Sequence, residues 1–220
     1  MDTNSEINSC LMLAVNLMTP VDLGYIFDVP DLKDTGIELD SHITLLYAQG
    51  KEIPKDNIIQ DIKDILDYND FINVYCKNQV FHKVLDIFDL SSFENDSDYI
   101  ILKMKKNFDL YNKLSLINKG LRVQYGVSSD FDQYTPHVSL AELNPGTAEK
   151  YLNSDNLKAV LNDTYINFED IMISYGKSNE VDRKQYFLTQ FKCVDRFFRI
   201  RELERANEEM LREEEKRNKE

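Results

Sequence analysis

The chain holds three histidines, and two of them stand in one recurring setting. His42-Ile43-Thr44-Leu45 and His137-Val138-Ser139-Leu140 each spell histidine, β-branched aliphatic, hydroxyl, leucine, 95 residues apart. On an extended strand residues i and i+2 share a face, so each imidazole points the same way as its hydroxyl, while the aliphatic residues between them pack the other way. Two such faces brought together suit acid–base chemistry at a phosphodiester. An imidazole titrates near neutrality, so one histidine can accept a proton while the other donates one. Two hydroxyls can hydrogen-bond the phosphoryl oxygens as charge builds on them. The third histidine, His82, has Val84 rather than a hydroxyl at +2 and is read as an edge-strand or surface residue.

Other chemistries find little support. The sequence has no HExxH, no His-x-His-x-His run, no P-loop and no GxGxxG, and its seven glycines leave little material for a phosphate-cradling loop. Cys10, Cys76 and Cys193 are scattered, with no CxxC pair, so neither a zinc site nor a disulfide framework is expected and no cofactor is called for. The net charge is −13. Residues 195–220 hold eight basic and nine acidic side chains, so nearly all of that charge belongs to the body. An acidic body disfavours grip on a long nucleic acid, which draws on counterion release at a basic surface. A small nucleotide held in a local pocket remains open as a partner. No apolar run is long enough to span a membrane, and the acidic N-terminus does not read as a secretory signal. A reducing cytoplasm is the expected location, a host's cytoplasm if the chain is phage-encoded.

The elements that must position the two motifs follow from pattern. Strands are expected at 10–17, 42–47, 71–76, 79–88, 98–105, 121–125, 137–143, 165–175 and 185–193, with 18–40 mostly loop. Helices are expected at 54–66, led by Pro54, at 108–120, closed by Gly120, and at 147–161, after the turn Asn144-Pro145-Gly146. The tail from 194 has no glycine or proline and alternates its charges, which predicts a solvated helix. That helix is read as half docked on the body, with a contact between copies of the chain as the alternative. Asn-Asp pairs at 69–70 and 162–163 follow the two motifs at nearly constant offset, as if one strand–helix–strand unit occurred twice. The fold class is therefore α+β, with two pseudo-symmetric lobes of mainly antiparallel sheet, helices outside and a groove between. Residues 1–194 form the domain and 195–220 the charged C-terminal helix.

Two H-x-[TS] motifs about a hundred residues apart resemble the two-histidine phosphoesterase superfamily, with its LigT-like RNA ligases and cyclic phosphodiesterases and its phage anti-CBASS nucleases. Residues 166–193 are similar to that superfamily's closing hairpin. The resemblance implies that His42 and His137 form the acid–base pair and that Thr44 and Ser139 hold phosphate. It also implies a LigT-like fold and metal-independent cleavage of a cyclic nucleotide or small cyclic oligonucleotide, as in a phage enzyme that degrades defence signals. Two alternatives stand beside it: an RNA-end or tRNA-processing 2′,3′-cyclic phosphodiesterase or ligase, and a non-catalytic nucleotide-binding sponge. Tyr134, three residues before His137, is a candidate for stacking on a base. Lys51, shortly after the first motif, is a candidate for meeting phosphate.

Overall fold

Alternating burial builds the sheet. In β3, His42–Ala48, residues Ile43 and Leu45 are wholly buried while His42 and Thr44 are half-buried, and β7, His137–Leu143, repeats this with Val138 and Leu140 buried and His137 and Ser139 half-buried. The computed structural model describes residues 7–77, 80–94, 96–128, 133–177 and 184–188, all within one unit spanning Met1–Thr189. The expected C-terminal helix at 195–220 lies outside the described residues.

The remaining strands are β1 (Ile7–Met18), β2 (Leu32–Ile37), β4 (His82–Lys83), β5 (Phe88–Glu94), β6 (Asp98–Met104), β8 (Tyr165–Lys177) and β9 (Lys184–Phe187). The sheet runs β4-β8-β1-β3-β7-β6-β5, with β2 added on β7 and β9 on β8. Every pairing is antiparallel. The helices are α1 (Ile58–Ile65), α2 (Tyr68–Phe71), α3 (Val84–Ile87), α4 (Asp109–Tyr125), α5 (Ala148–Leu152) and α6 (Asp155–Asn162), so the chain is α+β with an antiparallel sheet. The main core takes Leu11, Leu13 and Val15 from β1, while Cys10 and Met12, of opposite parity, join Met172 in a small separate cluster. Burying each large aliphatic side chain contributes about 1.5–3 kcal/mol. Of the closing hairpin expected at 166–193, β8 and β9 pair from Tyr175↔Lys184 to Met172↔Phe187, while residues 178–183 and 189–193 lie outside the described residues.

Several expected elements are replaced. The strand expected at 71–76 is helical: α2 runs directly into a π-helical segment, Ile72–Lys77. Tyr68, Phe71, Ile72, Tyr75 and Cys76 are all buried, and that spacing fits one face of a helix rather than a strand. The strand expected at 79–88 is instead the short β4, then α3, with β5 only beginning at Phe88. The supposed loop at 18–40 contains β2, whose Ile37 and Leu32 pair with Ala141 and Leu143. The expected helix 147–161 is two helices, because Ser154 caps α6 by accepting a hydrogen bond from the Leu157 amide at 3.2 Å. The matched Asn-Asp pairs do not mark equivalent places. Asn69 and Asp70 lie inside α2, whereas Asn162 ends α6 with Asp163 as its cap.

Gly120 does not end a helix. Helix α4 continues through the expected strand 121–125 and stops at Gly126, which adopts the left-handed conformation (φ 58°) that closes a helix C-terminus. Gly120 lies in mid-helix where α1 crosses: a Cβ there would meet Ile65 Cδ1 at 2.6 Å and Cγ1 at 2.7 Å. The crossing is pinned further by Asp61 of α1, which accepts from the Tyr125 hydroxyl and the Gln124 amide. Gly120→Ala should therefore cost about 1–3 kcal/mol in overpacking, offset in part by a helix-propensity gain of about 1 kcal/mol, for a net destabilisation of up to about 2 kcal/mol. Urea unfolding of G120A, alone and with Ile65→Ala, checks this. The cost should shrink sharply in the double variant, and a stabilised single variant would refute the close-approach reading.

Candidate active site

Strands β3 and β7 are neighbours, antiparallel, and joined by a single register pair, Ile43↔Val138. In an antiparallel ladder the residue before one partner lies alongside the residue after the other. His42 therefore lies alongside Ser139, and Thr44 alongside His137. All four share the face opposite Ile43 and Val138, which are wholly buried. The two motifs thus form one quartet in which each imidazole neighbours the other motif's hydroxyl. Past this quartet the two strands share no further register pair among the described residues.

The separated edges are satisfied by other groups. On β7 the Leu140 carbonyl accepts from the Glu38 amide at 2.9 Å, in the turn after β2. On β3 the Thr44 carbonyl accepts from the Tyr134 hydroxyl at 2.8 Å, and the Leu45 carbonyl from the Asn118 side-chain amide of α4 at 2.7 Å. Both motif strands also carry a register break at the same letter. The β1–β3 register passes from Leu11↔Leu46 to Met12↔Thr44, skipping Leu45, and the β6–β7 register passes from Ile100↔Ala141 to Ile101↔Ser139, skipping Leu140. The leucine shared by the two motifs is thus the bulged residue in each. The extra residue lets Leu45 and Leu46, and likewise Leu140 and Ala141, be buried in succession.

Each imidazole is oriented by its own chain. His42 Nδ1 lies 2.6 Å from the Asp40 carbonyl oxygen, and His137 Nδ1 lies 2.8 Å from that of Thr135. A carbonyl oxygen only accepts, so Nδ1 carries the proton in both contacts and Nε2 is left for a substrate. Here the two halves diverge. Burial pulls the His137 imidazole below the ordinary histidine value; the Thr135 carbonyl pushes it back up, and nearby His42 adds to the lowering. The Phe93 ring of β5 stands edge-to-face with His137, centroids 4.8 Å apart.

The two candidate binding residues have structural duties. Tyr134 spends its hydroxyl on the Thr44 carbonyl and accepts on its own carbonyl from Tyr111 at 3.4 Å, so it ties the approach to the second motif onto the first. Lys51 follows the end of β3 opposite His42 and donates to the Tyr125 and Gly126 carbonyls at 2.9 and 2.6 Å, a cation on the negative end of α4. His82 sits between the rings of Phe108 and Phe168, and burial lowers its pKa. The Cys76 thiol is pushed up to about 12, chiefly by burial and then by Asp170 and Glu169, which does not suit a nucleophile. Among the described residues, no three His, Cys, Asp or Glu side chains are grouped to hold a metal ion, and no helix is long and apolar enough to cross a membrane.

Sequence reasoning passed over Phe93 and Asn118. Phe93 is the second aromatic of β5, which otherwise reads as Asp, Leu, Ser and Glu, and that isolation was the available signal. Asn118 interrupts the apolar face of α4 while being buried itself, a placement that calls for a hydrogen-bond partner.

The chain matches no protein-family profile and no curated protein by sequence. Among solved structures it is similar to Usb1 of Kluyveromyces marxianus, at 11 % identity and a TM-score of 0.43, over 84 % of this chain and 100 % of that one. The same protein with uridine monophosphate aligns at 10 % identity and a TM-score of 0.39, over 83 % and 99 % of the respective chains. Neither likeness assigns a role to a residue here.

If Phe93 and His42 hold the His137 pKa down, relieving either should raise it. NMR titration of the imidazole Cε1–H is expected to move His137 upward, toward about 6.5, in both Phe93→Ala and His42→Gln. A His137 titration that neither variant displaces would contradict the assigned causes.

Proposed function

We propose that this protein is a metal-independent phosphodiesterase of the two-histidine type, acting on a cyclic nucleotide or small cyclic oligonucleotide. The observation that carries the reading is the quartet around Ile43↔Val138: two imidazoles with Nδ1 tied to their own chain and, among the described residues, no partner on Nε2, each beside the other motif's hydroxyl in register. The matched register breaks at Leu45 and Leu140 support two pseudo-symmetric lobes related about that pair, β1 and β8 flanking one motif as β6 and β5 flank the other.

A phosphodiester lying across the β3–β7 junction would meet both Nε2 atoms. His137, held toward its neutral form, takes the proton of the attacking water or neighbouring ribose hydroxyl. His42 acts as the acid and gives a proton to the departing oxygen, so one proton enters the site and one leaves. Thr44 and Ser139 donate to the non-bridging oxygens, whose charge grows as the nucleophile adds. The acidic body, with a net charge of −13 overall, favours a short ligand over a long polyanion.

Incubation with cyclic dinucleotides, cyclic trinucleotides and 2′,3′-cyclic mononucleotides in excess EDTA tests the reading. Turnover is expected to survive chelation, and His42→Ala or His137→Ala to lower kcat by about two to four orders of magnitude. Binding without turnover, insensitive to both substitutions, would indicate a sponge instead. The kcat/KM–pH profile should be bell-shaped. Below its pKa His137 is protonated and cannot accept, so activity falls as pH falls; because burial lowers that pKa, the acid limb should lie below about 6.5. The alkaline limb follows loss of the proton from the acid. A flat profile between pH 5 and 8 would exclude a histidine acid–base pair.

A further inference from the structure

The two halves of the quartet share a backbone pattern but not their next neighbours. Directly opposite His42 on β1 stands Ala14, and opposite His137 on β6 stands Lys103. Directly opposed residues of an antiparallel pair project from the same face with Cβ atoms about 4.5–5.5 Å apart. The flanking Leu102 and Met104 are buried in the main core, so Lys103 stands on the quartet's face, where it is exposed. The acid opposite it on β5, Asp89, has its carboxylate 3.7 Å from Lys105. Among the described residues, no acid lies within ion-pair reach of the Lys103 ammonium.

Position decides what such a cation would bind. Strand β6 lies on the far side of β7 from β3, one strand spacing of about 4.8 Å outward from the cleft. The His137 ring thus stands between Lys103 and the place where the scissile phosphate must lie. On the other flank, β1 presents Ala14 and Met12, which carry no charge.

We infer that Lys103 binds a second phosphate of the substrate, flanking the scissile one on the His137 side, so that the preferred ligand is a di- or oligonucleotide laid across β7 and β6 with an uncharged nucleoside portion over β1. This rests on the phosphodiesterase reading and narrows its substrate to molecules with two or more phosphates. An ammonium–phosphate hydrogen bond is charge-assisted, and its loss weakens binding roughly 10- to 100-fold.

The test compares a cyclic dinucleotide with a 2′,3′-cyclic mononucleotide, in wild type and in Lys103→Met. The ratio of kcat/KM for the two-phosphate to the one-phosphate substrate should fall roughly 10- to 100-fold in K103M. Lys103→Arg should recover most of that ratio, and removal of an equal charge from α1, Lys63→Met, should not move it. Equal losses on both substrates would place Lys103 at the scissile phosphate and overturn the inference; no loss on either would make it a solvated lysine. Should neither substrate turn over, the phosphodiesterase reading fails, and calorimetric Kd values for the same two nucleotides decide on Lys103. Selective weakening of the two-phosphate ligand in K103M upholds the inference, while unselective weakening, no weakening or no binding of either ligand overturns it.

Discussion

The candidate site depends on one backbone contact, the antiparallel pair between Ile43 and Val138. An antiparallel pair has a local two-fold axis normal to the sheet. Two copies of a His-x-hydroxyl sequence centred on that axis are therefore brought into mutual register, each imidazole beside the other copy's hydroxyl. No long-range packing needs to aim the side chains individually. What packing must do is keep the strands together at that point and apart beyond it. Asn118 of α4 and the Tyr134 hydroxyl occupy the carbonyls of the β3 edge, while β2 occupies the edge of β7. A strand edge left unpaired inside the fold would cost the desolvation of each orphaned carbonyl, so these groups hold the splayed geometry as well as filling it.

The two motifs share a backbone pattern, but their histidines do not share surroundings. Identical imidazoles in identical surroundings would carry their protons alike. Here His137 has the Phe93 ring against it and its pKa lowered by burial, and Lys103 stands across from it where Ala14 stands across from His42. The asymmetry comes from β5 and β6, strands whose sequences bear no resemblance to those of β8 and β1.

Sequence pattern served well where one periodicity ruled. The alternation in both motif strands, the helix opened near Pro54, the helical character of 147–161 and the pairing of the closing strands were all legible. It failed where composition and periodicity disagreed. Residues 68–77 are rich in aromatic and β-branched types, yet their buried positions fall at helical spacing, and packing against the sheet selected the helix. Glycine usually marks a helix stop, yet Gly120 lies in mid-helix where Ile65 approaches it closely, a juxtaposition of residues 55 positions apart that no local window contains. The Asn-Asp pairs are coincident in spacing and unrelated in structure, whereas the shared leucine of the two motifs is the bulged residue in both.

The sequence by itself determined which residues are chemically able, His42, Thr44, His137 and Ser139, and which face of a strand each must take, because side-chain alternation is a local property of an extended chain. It also determined the acidic character that disfavours a long polyanion. Only the tertiary structure decided that the two strands are immediate neighbours in antiparallel register. Only it decided that Tyr134 and Lys51 spend their polar atoms on backbone carbonyls, and that Phe93 and Lys103 attend one histidine and not the other. Those facts rest on which strand edges pair, and pairing between segments some ninety residues apart is settled by the collective burial of the sheet, which no single stretch of sequence encodes.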